Sequence, residues 1–135
     1  MADPDCIFCK IVARELPAVI VEEDERTLAF MDIAPATRGH ALVIPKQHSS
    51  DLHTIAPEDL AACAAAAQRL AARLAERLDP DGINVLQSSG AAAWQTVFHF
   101  HLHVIPRYAG DPLRLPWTPR VADQAAIEAV AAELH

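Results

Sequence analysis

The sequence predicts an α+β fold: a five-stranded antiparallel sheet with one long helix packed on it and short flanking helices. Three observations predict it. One long stretch, Pro57 to about Asp79, carries apolar residues at helical spacing. Five short apolar runs elsewhere are bounded by turn residues, as strands are. The links within the first three runs and between the last two are too short for helical crossovers, so hairpin-like, antiparallel pairing is favoured.

In chain order, Ile7 to Arg14 has apolar residues at 7, 8, 11 and 12, a short helix ended near Pro17. Val19 to Glu22 and Thr27 to Met31 read as strands joined by the charged turn Glu23-Asp24-Glu25-Arg26. A loop with Pro35 and Gly39 leads to a third strand, His40 to Ile44, stopped by Pro45. The long helix opens on Pro57, whose missing N–H had no intrahelical partner, and Glu58 and Asp59 suit the positive end of its dipole. Ala56 is a poor N-cap. Leu60, Cys63, Ala64, Ala67, Leu70, Ala71, Leu74 and Leu78 would face the sheet, with Arg69, Arg73, Glu76 and Arg77 mostly outward.

Asp81-Gly82 turns the chain into a fourth strand, Ile83 to Ser88, and Ser89 to Trp94 forms a loop. Val97 to Ile105 is the fifth strand, closed by Pro106. A tail from residue 109 contains Pro112, Pro116, Trp117 and Pro119, followed by a possible last helix, Ala122 to Leu134. No repeat or Ser/Gly linker divides the 135 residues, so a single domain is expected, with its core at about 5–108 and a tail at 109–135.

Composition excludes several classes. The formal charge is −7 and no lysine or arginine run exists, so a nucleic-acid backbone has no electrostatic track. No apolar stretch is long enough for a membrane span. The acidic start, Met1 to Asp5, lacks a signal-peptide pattern, which makes the cytoplasm the expected compartment. Cys6 and Cys9 form a C-x-x-C pair, better suited there to metal or redox chemistry than to a disulfide. Cys63, alone among alanines, reads as a small buried residue.

Chemistry concentrates in Val97 to Ile105. By strand alternation, Phe98, Phe100, Leu102 and Val104 face the helix, while His99, His101 and His103 share the other face, about 6–7 Å apart. Solvent faces of strands favour other polar residues. Three imidazoles in such a row suit metal binding, proton transfer or nucleophilic catalysis near neutral pH.

The segment Gln95-Thr96-Val97-Phe98-His99-Phe100-His101-Leu102-His103-Val104-Ile105 resembles the histidine-triad (HIT) signature, H-x-H-x-H before two apolar residues. Cys6 to Ile11, Leu28 to Ile33 and Gly39 to His48 resemble further blocks of the family's Hint-like branch, in the same order. The resemblance covers about residues 5 to 108. It implies a two-step hydrolysis or transfer at the α-phosphate of a purine nucleotide conjugate. His101 would be the nucleophile, forming a nucleotidyl-histidine, and the His99 carbonyl would fix its tautomer. His103 and His40 would stabilise charge near the phosphate oxygens. Thr96 would assist the leaving group and Gln95 would contact phosphate. Ile7, Phe8, Ile11, Phe30 and Ile33 would surround the base, and Asp32 would accept from the ribose hydroxyls.

Two positions depart from the family pattern. Ala93-Trp94 stands where Ala-Gly or Gly-Gly is usual, and Ser88, a further nucleotide-contact position, stands where Asn is frequent. The resemblance also implies a structural zinc on Cys6, Cys9, His48 and His99, with no metal needed for the chemical step. It implies a two-fold homodimer with a ten-stranded sheet, in which Ala61, Ala64, Ala65 and Ala72 permit close helix approach. His53 and His135 match no motif. The other readings are a dinucleoside polyphosphate hydrolase of Fhit type and a nucleotide-binding regulatory protein with incidental hydrolysis.

Overall fold

In a computed structural model, which describes residues 2–135, one five-stranded sheet has the order β1-β2-β3-β5-β4, with every neighbouring pair antiparallel. The strands are β1 (Ile20–Glu23), β2 (Thr27–Met31), β3 (Ala41–Pro45), β4 (Gly82–Gln87) and β5 (Leu102–Arg107). The helices are α1 (Ile7–Val12), α2 (Pro57–Leu78) and α3 (Gln124–Glu133).

Alternation along the central strands divides the molecule into two apolar layers. Ala29, Ala41, Val43, Leu102 and Val104 point to α2 and pack on Cys63, Ala66, Ala67, Leu70 and Leu74, with Phe100 buried among them. Leu28, Phe30, Leu42 and Ile44 point the other way, to Phe8, Cys9 and Ile11 of α1. Truncating Leu70 or Leu74 to Ala would cost about 2–5 kcal/mol. On α2 the sheet-facing small residue is Ala66, whereas Ala64, expected inward, is exposed. The helix starts at Pro57 without a side-chain cap on Ala56 and ends on Asp79 in the left-handed region.

The long fifth strand expected from residue 97 is the main correction. Residues 97–101 are not strand, and β5 begins at Leu102. Pro45, at the end of β3, has no N–H to offer a ladder. Its carbonyl accepts from the His99 ring instead, at 2.8 Å. The Phe100 N–H leaves the sheet to donate to the Ser49 carbonyl at 2.7 Å. Phe98, expected under the helix, is consequently 51% exposed.

At its other end β5 runs through Pro106 to Arg107 rather than stopping. Its pairing with β3 covers only Leu102 to Val104, so the missing Pro106 N–H removes no bond on that side. Gly39, at φ +94°, lies so close to α2 that a Cβ would stand 2.6 Å from Leu78 Cδ1. Only glycine lets the chain pass there and deliver His40 to the start of β3. The helix expected over Ala122 to Leu134 is α3, and none of its residues is buried. Among the described residues no helix is long and apolar enough to cross a membrane.

Candidate active site and metal cluster

The α1 face of the sheet carries a cleft of about 360 Å³. Ile7, Phe8, Ile11, Phe30 and Ile33 supply apolar walls, and Asp32, Thr96, His101 and His103 supply its polar lining. Phe8 holds the His101 ring edge-on, with centroids 5.2 Å apart, and packs against Phe30 at 5.4 Å. Leu16, Pro17, Ala18, Leu42 and Val97 also line the cleft. Sequence reasoning treated Pro17 only as a helix stop. Leu42 enters the cleft from β3, and nothing in the apolar run Ala41 to Ile44 marks which face that residue takes.

Hydrogen-bond partners fix the tautomer of each ring. His101 Nδ1–H donates to the His99 carbonyl at 2.7 Å. A neutral ring so bound keeps Nε2 as a bare lone pair. Burial holds the His101 imidazole below its ordinary value, against the opposing pull of that hydrogen bond and of Asp32.

The Ala36 N–H donates to His40 Nδ1 at 2.9 Å, so the hydrogen of neutral His40 must reside on Nε2. That Nε2–H donates to His103 Nδ1, also at 2.9 Å. His103 must then carry its own hydrogen on Nε2. A backbone amide thus makes His103 a donor, next to His101, whose free nitrogen is an acceptor; their ring centroids are 5.0 Å apart. Burial, together with the neighbouring His101 and His40 rings, pushes His103 down to about 4. Burial also lowers His40. Asp32 accepts from the Ala34 N–H through Oδ1, and its Oδ2 lies 3.4 Å from His40 Nε2.

A second cluster lies beneath. Cys6, Cys9, His48 and His99 bring four donor atoms within 4.8 Å of one another. His99 Nε2–H donates to the Pro45 carbonyl, which leaves Nδ1 free to ligate. Cys6 Sγ is 3.4 Å from His99 Nδ1, Cys9 Sγ is 3.4 Å from His48 Nδ1 and 3.6 Å from His99 Nδ1, and the two Nδ1 atoms are 3.2 Å apart. A tetrahedral zinc with ordinary bond lengths requires sulfur–nitrogen edges of about 3.6 Å and a nitrogen–nitrogen edge of about 3.3 Å. The residues therefore fit such an ion. Burial pushes the Cys6 thiol up, a penalty that a bound cation offsets.

Asp32, His40 and His103 are also close enough to share a metal. The hydrogen on His40 Nε2 argues against it, because the nitrogen facing the other two groups has no lone pair to give. The Cys6, Cys9, His48 and His99 group suits ligation, and the Asp32, His40 and His103 group suits hydrogen bonding.

Not every expected residue reaches the cleft. Gln95 is buried, but its Oε1 accepts from the Gly90 N–H, and its Nε2 donates to the Ser50 and Val97 carbonyls. It clasps the 90–97 loop and does not line the cleft. Ser88 is buried outside the cleft too. Trp94 keeps the left-handed backbone that favours glycine, φ +76°, and its ring is 62% exposed and outside the cleft. Ile33, 99% exposed, stands at the rim.

The chain is similar to known proteins in sequence and in fold. The HIT domain matches residues 13–110 of the chain. Adenosine 5'-monophosphoramidase hnt1 of Schizosaccharomyces pombe is 44% identical over 102 residues, covering 76% of this chain and 74% of that one. A crystal structure from Streptococcus mutans superposes with a TM-score of 0.94 at 37% identity, covering 98% of this chain and 85% of that one. A zinc-bound histidine triad family protein from Mycobacterium smegmatis is 45% identical with a TM-score of 0.78, covering 96% and 95%.

Proposed function

Because this chain belongs to the histidine-triad (HIT) family, we propose that it hydrolyses a purine nucleotide phosphoramidate through a nucleotidyl intermediate on His101. The observation that carries this reading is the pair of complementary tautomers. A bare Nε2 on His101 and an Nε2–H on His103 stand together in the lining of an apolar cleft. An unprotonated imidazole is a nucleophile, and a neighbouring N–H donor stabilises the charge that collects on phosphoryl oxygens.

In the first step His101 Nε2 attacks phosphorus, and the P–N bond breaks with its electron pair on the departing nitrogen. That nitrogen takes up one proton from solvent, relayed by the Thr96 hydroxyl, and leaves as the amine. Water then attacks phosphorus, the histidine–phosphorus bond breaks to restore neutral His101, and the proton that water loses goes back to solvent. His40 orients His103, and the His99 carbonyl orients His101. The nucleoside lies among Ile7, Phe8, Ile11, Phe30 and Ile33, with Asp32 accepting from the ribose. Gln95 acts by holding the loop that presents Thr96, and Ser88 makes no direct contact.

Cys6, Cys9, His48 and His99 would hold a structural zinc, which would tie the start of α1 to the His48 and His99 segments without taking part in the chemical step. Two chains pair through the exposed Ala61, Ala64, Ala65 and Ala72 of α2 and through β4. That strand is a sheet edge, and Val85 and Leu86 are exposed on it.

The test is intact-mass analysis of protein quenched during turnover of adenosine 5'-phosphoramidate. A gain of one adenylyl group, mapped to His101, is the expected result. Nucleotide binding with no adduct and no turnover would instead make the protein a binding module.

A further inference from the structure

A second groove, of about 320 Å³, adjoins the cleft and shares Ile7, Thr96 and Val97 with it. Its outer walls are Phe98, Asp3 and Asp5. Apart from the shared Ile7, none of the residues assigned to base or ribose lines this groove. We propose that it is the leaving-group subsite and that it selects leaving groups bearing a positive charge. The proposal rests on the hydrolase reading above.

Continuity is the first argument. With His101 attacking phosphorus, the group it displaces departs on the side away from that ring. The shared residue Thr96 marks the passage from the reacting centre to the groove. Chemistry is the second argument. Among the described residues neither Asp3 nor Asp5 is paired with a lysine or arginine, and none lines the groove. Asp3 is positioned by accepting the Asp5 N–H at 2.9 Å, with its other oxygen 3.9 Å from His48 Nε2. Phe98 was turned out of the core when the chain left the ladder before Leu102, and its half-exposed side chain lines the same groove. Carboxylates and an aromatic surface in one groove favour an alkylammonium, by charge attraction and by the cation–π term. The same carboxylates repel a second nucleotide joined through a polyphosphate.

The test uses adenosine 5'-phosphoramidates of three amines that differ at the far end: 1,5-diaminopentane, with a terminal ammonium; hexylamine, neutral; and 6-aminohexanoate, with a carboxylate. Unsubstituted phosphoramidate, which releases ammonia, is the control. The expected order of kcat/KM is ammonium, then neutral, then carboxylate, with the extremes separated by about tenfold or more at low salt and converging as salt rises. Asp5→Lys, at an exposed position, should collapse or invert the order of the three compounds, each taken relative to the unsubstituted control in the same protein. A wild-type ratio within about twofold, or a ratio that survives Asp5→Lys, overturns the proposal. Failure of all four compounds to turn over or to leave an adduct overturns the underlying hydrolase reading, and this proposal with it.

Discussion

Replacing His103 with glutamine separates what its ring does by hydrogen bonding from what it does by titrating. A glutamine amide can reproduce the observed pattern, its oxygen accepting from His40 Nε2–H and its nitrogen donating to the cleft, but it takes up no proton. Folded His103 is held at about 4, chiefly by burial, against 6.5 for the free side chain. The unfolded chain therefore binds a proton first as pH falls. The stability that His103 contributes is complete above 6.5 and is lost as pH drops toward 4. At about pH 4.5 the unfolded imidazole is almost fully protonated and the folded one about a quarter so, a difference of about 2.5 kcal/mol. Urea unfolding by far-UV circular dichroism, with chelator present to fix metal content, gives four free energies: two proteins at about pH 7.5 and about pH 4.5. The variant should match wild type within about 1 kcal/mol at the higher pH and lose about 2.5 kcal/mol less on acidification. Equal losses, within about 0.5 kcal/mol, would refute the account of a buried neutral relay.

Three further outcomes follow from the site. His101→Asn should abolish the adduct and lower kcat by several orders of magnitude, with nucleotide affinity by calorimetry changed far less; an adduct on His103 would move the nucleophile. Cys9→Ala should abolish near-stoichiometric zinc in untagged protein measured by elemental analysis. It should also lower the melting temperature more than turnover per folded molecule; stable, fully active wild type without metal would contradict the structural role. Light scattering should report twice the chain mass, and Ala64→Glu, which puts a charge on the exposed α2 face, should shift the protein toward monomer.

Much of this was legible in the sequence because the signals are local. The helical spacing from Pro57 marks α2, and the apolar runs Thr27–Met31 and Ala41–Pro45 mark two central strands, buried on both faces. The residues brought to the cleft by Phe8, Phe30, Asp32 and the histidines were readable through the motif blocks. What could not be read is set by tertiary contacts. Alternation alone carries no sign that the Pro45 carbonyl will take the His99 ring or that Ser49 will take the Phe100 N–H. The resemblance implied a phosphate contact for Gln95, whereas its amide here binds the Gly90 N–H and the Ser50 and Val97 carbonyls. Ala36 has no side-chain chemistry at all, yet its N–H sets the tautomers of two histidines.

The departure from the expected strand is what gives three like residues unlike tasks. Had residues 97–105 formed one continuous strand, the three rings would stand in a row on one face, about 6–7 Å apart, in similar surroundings. Because the ladder stops at the pairing of Val43 with Leu102, His99 turns down to the thiols and His48. Its carbonyl remains behind to hold His101. His103 stays in register opposite Leu42, where it meets His40. His99 therefore belongs to both clusters, by its ring in one and its backbone in the other. A change at the thiols would therefore reach the cleft by two routes, through the His99 backbone that holds His101 and through α1, whose Phe8 and Ile11 form its walls.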